Sequence, residues 1–280
     1  MFHRLEYLSL RKIDTVICPN TGRFGNEIFS IILAICLCLE YKIGLIKLPQ
    51  IPLYYDKDEI FTWIISLEFQ SDKTYEFKMN HFWTYNNLKL FKLEKYKEKV
   101  KNLLYNTFSF PQNNNFNNNI LHIHIRSGDI MLKDKGCGMV QPPCIYYENE
   151  IKKHNWDKVI IVSEDTINPC INYLVKKYDN VIYFGKNSLE CDIYELLSAT
   201  NLMCGRGTFI PTLSIFMPHL KKLHYPQDGD VIHSHYLLKT FNGEKCIEHN
   251  EYAEYYNEIN KLGGWNYNEN IKNLMLNFTI

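Results

Sequence analysis

Arginine is scarce in this chain. Only five of its 31 basic residues are arginine (Arg4, Arg11, Arg23, Arg126 and Arg206), and lysine supplies the rest. Net charge is missing too, because 31 acidic residues balance the basic ones. Without a global field there is no long-range pull on nucleic acid or an anionic membrane, so any anion site must be local. Cys-x-x-Cys pairs are absent, which argues against a structural zinc. The nine cysteines are odd in number and irregularly spaced. Several fall in apolar runs (Cys36, Cys38, Cys204), as reduced thiols of a cytosol-like compartment do. The most hydrophobic run, Ile28 to Glu40, is short for a bilayer span and reads as a buried helix. Met1 to Lys12 alternates basic and apolar residues without an apolar core, unlike a signal peptide. Neither Gly-x-Gly-x-x-Gly nor a Gly-Lys-Ser/Thr P-loop occurs.

What is present is organised around Ile120-Leu121-His122-Ile123-His124-Ile125-Arg126-Ser127-Gly128-Asp129. Apolar residues alternate with histidines up to Ile125, the period of a strand, and the alternation stops at an Arg-Ser-Gly-Asp turn. His122 and His124 fall on one face of that strand. In open α/β sheets ligands bind just outside the carboxyl ends of strands, and the arginine fork matches phosphate oxygens. Arg126 therefore reads as a diphosphate contact. The same residues also fit a half-buried strand closed by a surface Arg126–Asp129 pair, and pattern alone leaves both readings open.

Earlier in the chain, Thr15 to Pro19 reads as a short strand running through Gly22-Arg23-Phe24-Gly25-Asn26-Glu27 into the apolar helix. Such a corner offers free backbone N–H groups to an anion, or is simply a tight turn. Gly44-Leu45-Ile46 suggests a second strand, and Leu93 to Tyr105 a helix. The asparagine-rich stretch Pro111 to Asn119 reads as a linker, which places a domain boundary at residues 117–118. Lys158 to Val162 is a continuous apolar strand ending in Ser163-Glu164-Asp165, where carboxylates either meet a ligand or cap the next helix. Further helices, a strand from Asn180 to Phe184 and the Asp192–Phe209 region continue a βαβ rhythm, with Lys221 to Tyr225 as the last strand. Glu251 to Leu262 reads as a helix crossing back to the first domain.

Three of these segments carry a family resemblance. His124-Ile125-Arg126-Ser127-Gly128-Asp129 resembles the His-x-Arg-Arg-Gly-Asp signature of the fucosyltransferase superfamily, with Ser127 replacing its second arginine. Gly22 to Phe29 is similar to the Gly-Arg-Leu-Gly-Asn-Gln-Met-Phe motif that opens bacterial-type α-1,2-fucosyltransferases, and to its counterpart in protein O-fucosyltransferases. Glu27 replaces the glutamine there. Asp192, Thr208 and Phe209 match parts of Asp-x-x-Leu-Met-Ser…Ser-Asn-Ser-Thr-Phe-Ser, with Gly205-Arg206 in place of Ser-Asn. Ser163-Glu164-Asp165 is similar to the family's Ser-Asp-Asp, and Pro143 to Tyr147 to its Pro-x-x-Tyr-Tyr.

The resemblance implies an α/β fold of GT-B type, two Rossmann-like domains facing across a cleft. It implies an N-terminal acceptor-side domain (1–117), a nucleotide-sugar domain (118–240) and a helical tail (241–280). It further implies an inverting transfer of L-fucose from GDP-fucose to a glycan hydroxyl, α-1,2-linked, without metal. Arg126 and Asn26 would be catalytic. Arg23, His124, Asp129, Asp165, Asp192, Thr208 and Phe209 would bind the donor. Asn26, Glu27, Glu164 and His122 are candidate bases. Expected partners are a GDP-sugar and a glycan acceptor, with no cofactor, nucleic acid or membrane span. Golgi members carry an anchor, so the expected location is cytoplasmic. Asp228-Gly229-Asp230, with His233 and His235 nearby, resembles the metal motif of another glycosyltransferase class but follows a turn-like Tyr-Pro-Gln. Another nucleotide-sugar donor, or a non-catalytic relative, stays open.

Overall fold

The computed structural model describes residues 13–18, 23–48, 64–67, 75–78, 92–108, 110, 113–132, 140–185, 187–227, 232–265 and 267–280. Gly22, Cys137 and Asp228–Asp230 lie outside them, as do the side chains of His233 and His235. The chain forms two compact units. One comprises residues 1–110 and 235–241, the other residues 111–234 and 242–280.

In the first unit, strands β1 (Ile13–Ile17), β2 (Leu45–Lys47), β3 (Ile64–Ser66) and β4 (Tyr75–Lys78) form a sheet ordered β3-β2-β1-β4. β1 runs parallel to β2 and β4, and β3 is antiparallel to β2. Helix α1 (Phe24–Tyr41) is apolar on all sides and almost wholly buried, as the central helix of a sheet-and-helix unit must be. The run that looked too short for a bilayer belongs to a helix of 18 residues, long and apolar enough to cross one by length and composition alone. Yet 83% of that span is buried inside the protein. Lys42, in the left-handed conformation, ends it by returning its N–H to the Cys38 carbonyl. Helix α2 (Leu93–Thr107) packs on α1, and Glu40 accepts from Lys92 Nζ at 2.5 Å and Tyr96 Oη at 2.7 Å.

The second unit is an α/β structure around a six-stranded parallel sheet. Its strands are β5 (Ile120–His124), β6 (Lys158–Ser163), β7 (Val181–Gly185), β8 (Asn201–Cys204), β9 (Lys222–Pro226) and β10 (Cys246–His249), ordered β10-β9-β8-β5-β6-β7. Every pairing is parallel. Helices α3 (Cys144–Lys153), α4 (Pro169–Lys177), α5 (Leu189–Leu197) and α6 (Phe209–Leu213) connect them in a Rossmann-like rhythm. Strand order grows one way from β5 through β7, then reverses to β8 on the other side of β5. The gap between the carboxyl ends of β5 and β8 is therefore the switch point at which such sheets bind ligands. Leu121, Ile123 and Ile125 enter a core cluster with Tyr146, Tyr147, Ile171 and Leu174 of α3 and α4. His122 and His124 face the other way, as the strand period requires.

Three differences from the sequence reading stand out. β10, after the strand that read as last, is an edge strand too short to show a periodic pattern. The segment after residue 241 does not go to the first unit: α8 (Ala253–Lys261) sends Tyr255 and Ile259 into the second unit's core cluster, and α9 (Glu269–Asn277) packs on α3 and α4. It is residues 235–241, within helix α7 (Ile232–Asn242), that group with the first unit. The asparagine-rich stretch, finally, falls on the second unit's side of the 110–111 division. Its asparagines are tied there, with Asn113 Nδ2 donating to the Tyr194 carbonyl at 3.0 Å and Asn119 Nδ2 reaching Asp157.

Candidate functional site

β5 ends between two neighbours. The Ile125 N–H donates to the Val162 carbonyl (3.2 Å), and the Gly205 N–H donates to the His124 carbonyl (3.1 Å). The strand therefore stays paired on both sides up to the point where Arg126 emerges. Its side chain is 15% exposed and reaches Asp129 Oδ1 from Nη2 at 3.6 Å, long for a hydrogen bond. Among the described residues its buried Nε has no hydrogen-bond partner. Across the switch point the guanidinium lies on Gly207, where an added Cβ would meet Nη1 at 3.2 Å. Gly207 has φ +148, so both conformation and space call for glycine.

Around this arginine the structure gathers His124, Asp129, Thr208 and Phe209. The His124 and Phe209 rings pack with centroids 5.1 Å apart. Desolvation and the Arg126 charge push the His124 pKa down to about 3, so the ring is neutral and can donate one hydrogen bond without adding charge. Thr208, buried, precedes α6. That helix is only five residues long, so its end offers little dipole to an anion.

Asp165 is placed differently from the expectation that it meets a ligand. Its Oδ1 accepts from the Ile167 N–H at 2.9 Å, from the Gly128 N–H at 3.4 Å and from the Ser127 hydroxyl. Ser127, fully buried, accepts in turn from the Asn168 N–H at 2.9 Å. Asn168 Nδ2 donates to the Arg126 carbonyl at 3.0 Å, while its Oδ1 caps α4 through the Cys170 N–H. Where the resembled signature has a second arginine, this chain has a hydroxyl turned inward that locks the Arg126 loop to the β6–α4 loop.

Asp192 lies in the first turn of α5, is 8% exposed, and its buried Oδ1 has no hydrogen-bond partner among the described residues. Burial first, then the Glu164 charge, raises its pKa to about 7. The Glu164 carboxylate itself lies over Gly128 (φ +66), where an added Cβ would overlap Oε1. A carboxyl half-protonated at neutral pH can accept from or donate to a ligand. Position 164 matched a motif, but nothing in the sequence tied it to Gly128 or Asp192, and Gly207 and Asn168 carried no signal either.

Of the other expected residues, His122 lies in the second unit and Arg23, Asn26 and Glu27 in the first. His122 is buried, with Nε2 on Glu195 Oε1 at 3.1 Å, so it belongs to the β5–α5 packing. Arg23 and Asn26 stand at the start of α1 in the first unit. Arg23 is exposed at the N-cap position, and the Asn26 carbonyl accepts from the Ser30 hydroxyl at 2.9 Å. Glu27 is buried in the same turn. Among the described residues no group of three His, Cys, Asp or Glu side chains is placed to hold a metal ion. The chain matches no protein-family model and no curated protein.

Proposed function

We propose that this chain is a glycosyltransferase of GT-B type that moves L-fucose from GDP-fucose to a glycan hydroxyl with inversion and without metal, most simply in an α-1,2 linkage. In this reading both units are Rossmann-like and face each other, the second holding the nucleotide. The observation that carries it is Arg126: a guanidinium whose Nε has no partner among the described residues, at the switch point of a parallel sheet and laid against a glycine of the opposite loop. As fucose leaves as a cation-like species, negative charge grows on the β-phosphate oxygen. A fixed guanidinium there stabilises the transition state more than the ground state. Neutral His124 and the N–H groups near Gly207 would orient the diphosphate, and Asp192 would meet the base. Arg23 and Asn26 would serve from the first unit.

Calorimetric titration with GDP and GDP-fucose tests this, with UDP and dTDP as competitors and with and without EDTA. The expected result is GDP-selective binding that survives EDTA and weakens by about 1.5–3 kcal/mol in Arg126→Ala, the worth of a charged hydrogen bond. Absence of GDP binding, or a requirement for divalent metal, rejects the donor assignment and returns attention to Asp228 and Asp230. One observation favours a non-catalytic nucleotide-sugar binder instead: Ser127 is turned into the protein, leaving one arginine at this strand end. Transfer or donor hydrolysis that depends on Arg126 would exclude it.

A further inference from the structure

The loop that carries Gly207 is held on its core side by residues outside the candidate site. Tyr146 Oη of α3 donates to the carbonyl of Cys204, the last residue of β8, at 3.0 Å. Gln141 Nε2 donates to the Arg206 carbonyl at 3.5 Å, the long end of a hydrogen bond. Its Oε1 lies over the intervening glycine, where a Cβ added to Gly205 would meet it at 2.7 Å. Tyr147 Oη closes the same place at 3.2 Å. The Gln141 side chain therefore rests on two consecutive residues of the loop. Gln141 is fully buried, and its own carbonyl accepts from Tyr255 Oη of α8 at 3.0 Å. Tyr255 is fully buried too, with its ring edge-on to Phe278 at 5.3 Å.

What this scaffold fixes follows from the geometry of a peptide. The Arg206 carbonyl and the Gly207 N–H belong to one planar trans unit, so they point in opposite directions. With the carbonyl drawn toward Gln141, the Gly207 N–H is turned away from it. The Gly205 N–H meanwhile donates to the His124 carbonyl, which ties the start of the loop to β5. Gly207 then has little room to shift, because Arg126 Nη1 lies 3.2 Å from the place of its missing Cβ. Buried amide–carbonyl bonds are costly to break, so the arrangement is stiff.

We infer that Gln141 is a positioning residue for the switch point, anchored by Tyr255 from the C-terminal segment. It sets the plane of the 206–207 peptide, and with it the place of Arg126 and the N–H offered to a diphosphate. Gln141 itself does not touch the ligand and acts through residues that do. Its bearing on nucleotide binding rests on the reading of Arg126 as the phosphate contact. Its hold on Arg126 stands on the geometry of the loop alone.

The scarcity of arginine makes a direct test feasible on the full chain. With ¹⁵N-labelled arginine, five Nε–Hε signals are expected, and the one lost in Arg126→Lys belongs to Arg126. Without any ligand, Gln141→Leu and Tyr255→Phe should each move that signal while the signal of Arg23, in the first unit, stays in place. Gly205→Ala, which pushes the Gln141 amide aside without removing either partner, should do the same. Calorimetry should show GDP binding about tenfold weaker in all three. An Arg126 signal that stays put in the folded variants overturns the positioning role, whatever GDP does. A moved signal with unchanged GDP affinity overturns its bearing on the nucleotide. If the wild type binds no GDP, the nucleotide reading falls, and the Arg126 signal still decides what Gln141 holds. Tyr255→Phe removes a single oxygen, so it decides the matter if Gln141→Leu does not fold.

Discussion

Gly207 shows how much the switch point depends on a missing atom. Gly207→Ala adds a methyl 3.2 Å from Arg126 Nη1 in a conformation that L residues rarely adopt, so the guanidinium must move or the loop must strain. We expect GDP affinity in this variant to fall about tenfold or more and the melting temperature to fall with it, read by calorimetry beside thermal unfolding. Asp192 leads to a prediction about pH. Its folded-state pKa is raised to about 7 from 3.8, so the folded chain binds more protons and stability drops as pH climbs through that window. Asp192→Asn should abolish the drop and exceed wild type above pH 7 by about 1–2 kcal/mol once solvent screening is allowed for, in urea unfolding compared at pH 5 and 8. A parallel loss in both proteins would count against it. At this scale the sequence placed Arg126 just past the end of a strand, because strand alternation followed by a turn is a local signal. For Asp165 the sequence did not separate the two readings, since one carboxylate between two loops looks the same whether it faces a ligand or its own backbone.

Among the elements, the clamp made by Ser127, Asp165 and Asn168 joins the loop after β5 to the cap of α4. Asn168→Ala removes the cap and the bond to the Arg126 carbonyl together, and should cost about 1–3 kcal/mol in chemical denaturation. Ser127→Arg, which would restore the resembled signature, should do the reverse of restoring it. The position is fully buried and holds a carboxylate contact made for a hydroxyl, so a cation there should destabilise by about 3 kcal/mol or more and weaken nucleotide binding. Most buried elements were legible because β5, β6 and α1 carry apolar patterns that few alternatives satisfy. β10 was not, for the opposite reason: an edge strand of four residues with Ile247 exposed takes its place from pairing with β9, and pairing leaves no trace in a short run.

For the whole molecule, the sequence reading put a boundary at 117–118 where the division falls at 110–111, and it did not show which unit the tail joins. Asparagine-rich composition marks a turn-forming stretch, but nothing in the pattern of Glu251 to Leu262 says which core its apolar face will choose. The choice made by the second unit is strong, since Ile271 and Met275 of α9 are buried. Met275→Ala should lower stability by about 2–5 kcal/mol, seen as an earlier transition in thermal scans, and a change under about 1 kcal/mol would mean that α9 is peripheral. The excursion of residues 235–241 has a further consequence for synthesis. Chains usually fold domain by domain from the amino terminus as they emerge from the ribosome. Here the first unit's last piece, with buried Leu237 and Leu238 and a Thr240 hydroxyl that bonds Glu94, is not made until β5 to β9 have all been translated. The nascent amino-terminal unit therefore lacks one buried piece of its core while β5 to β9 are being made.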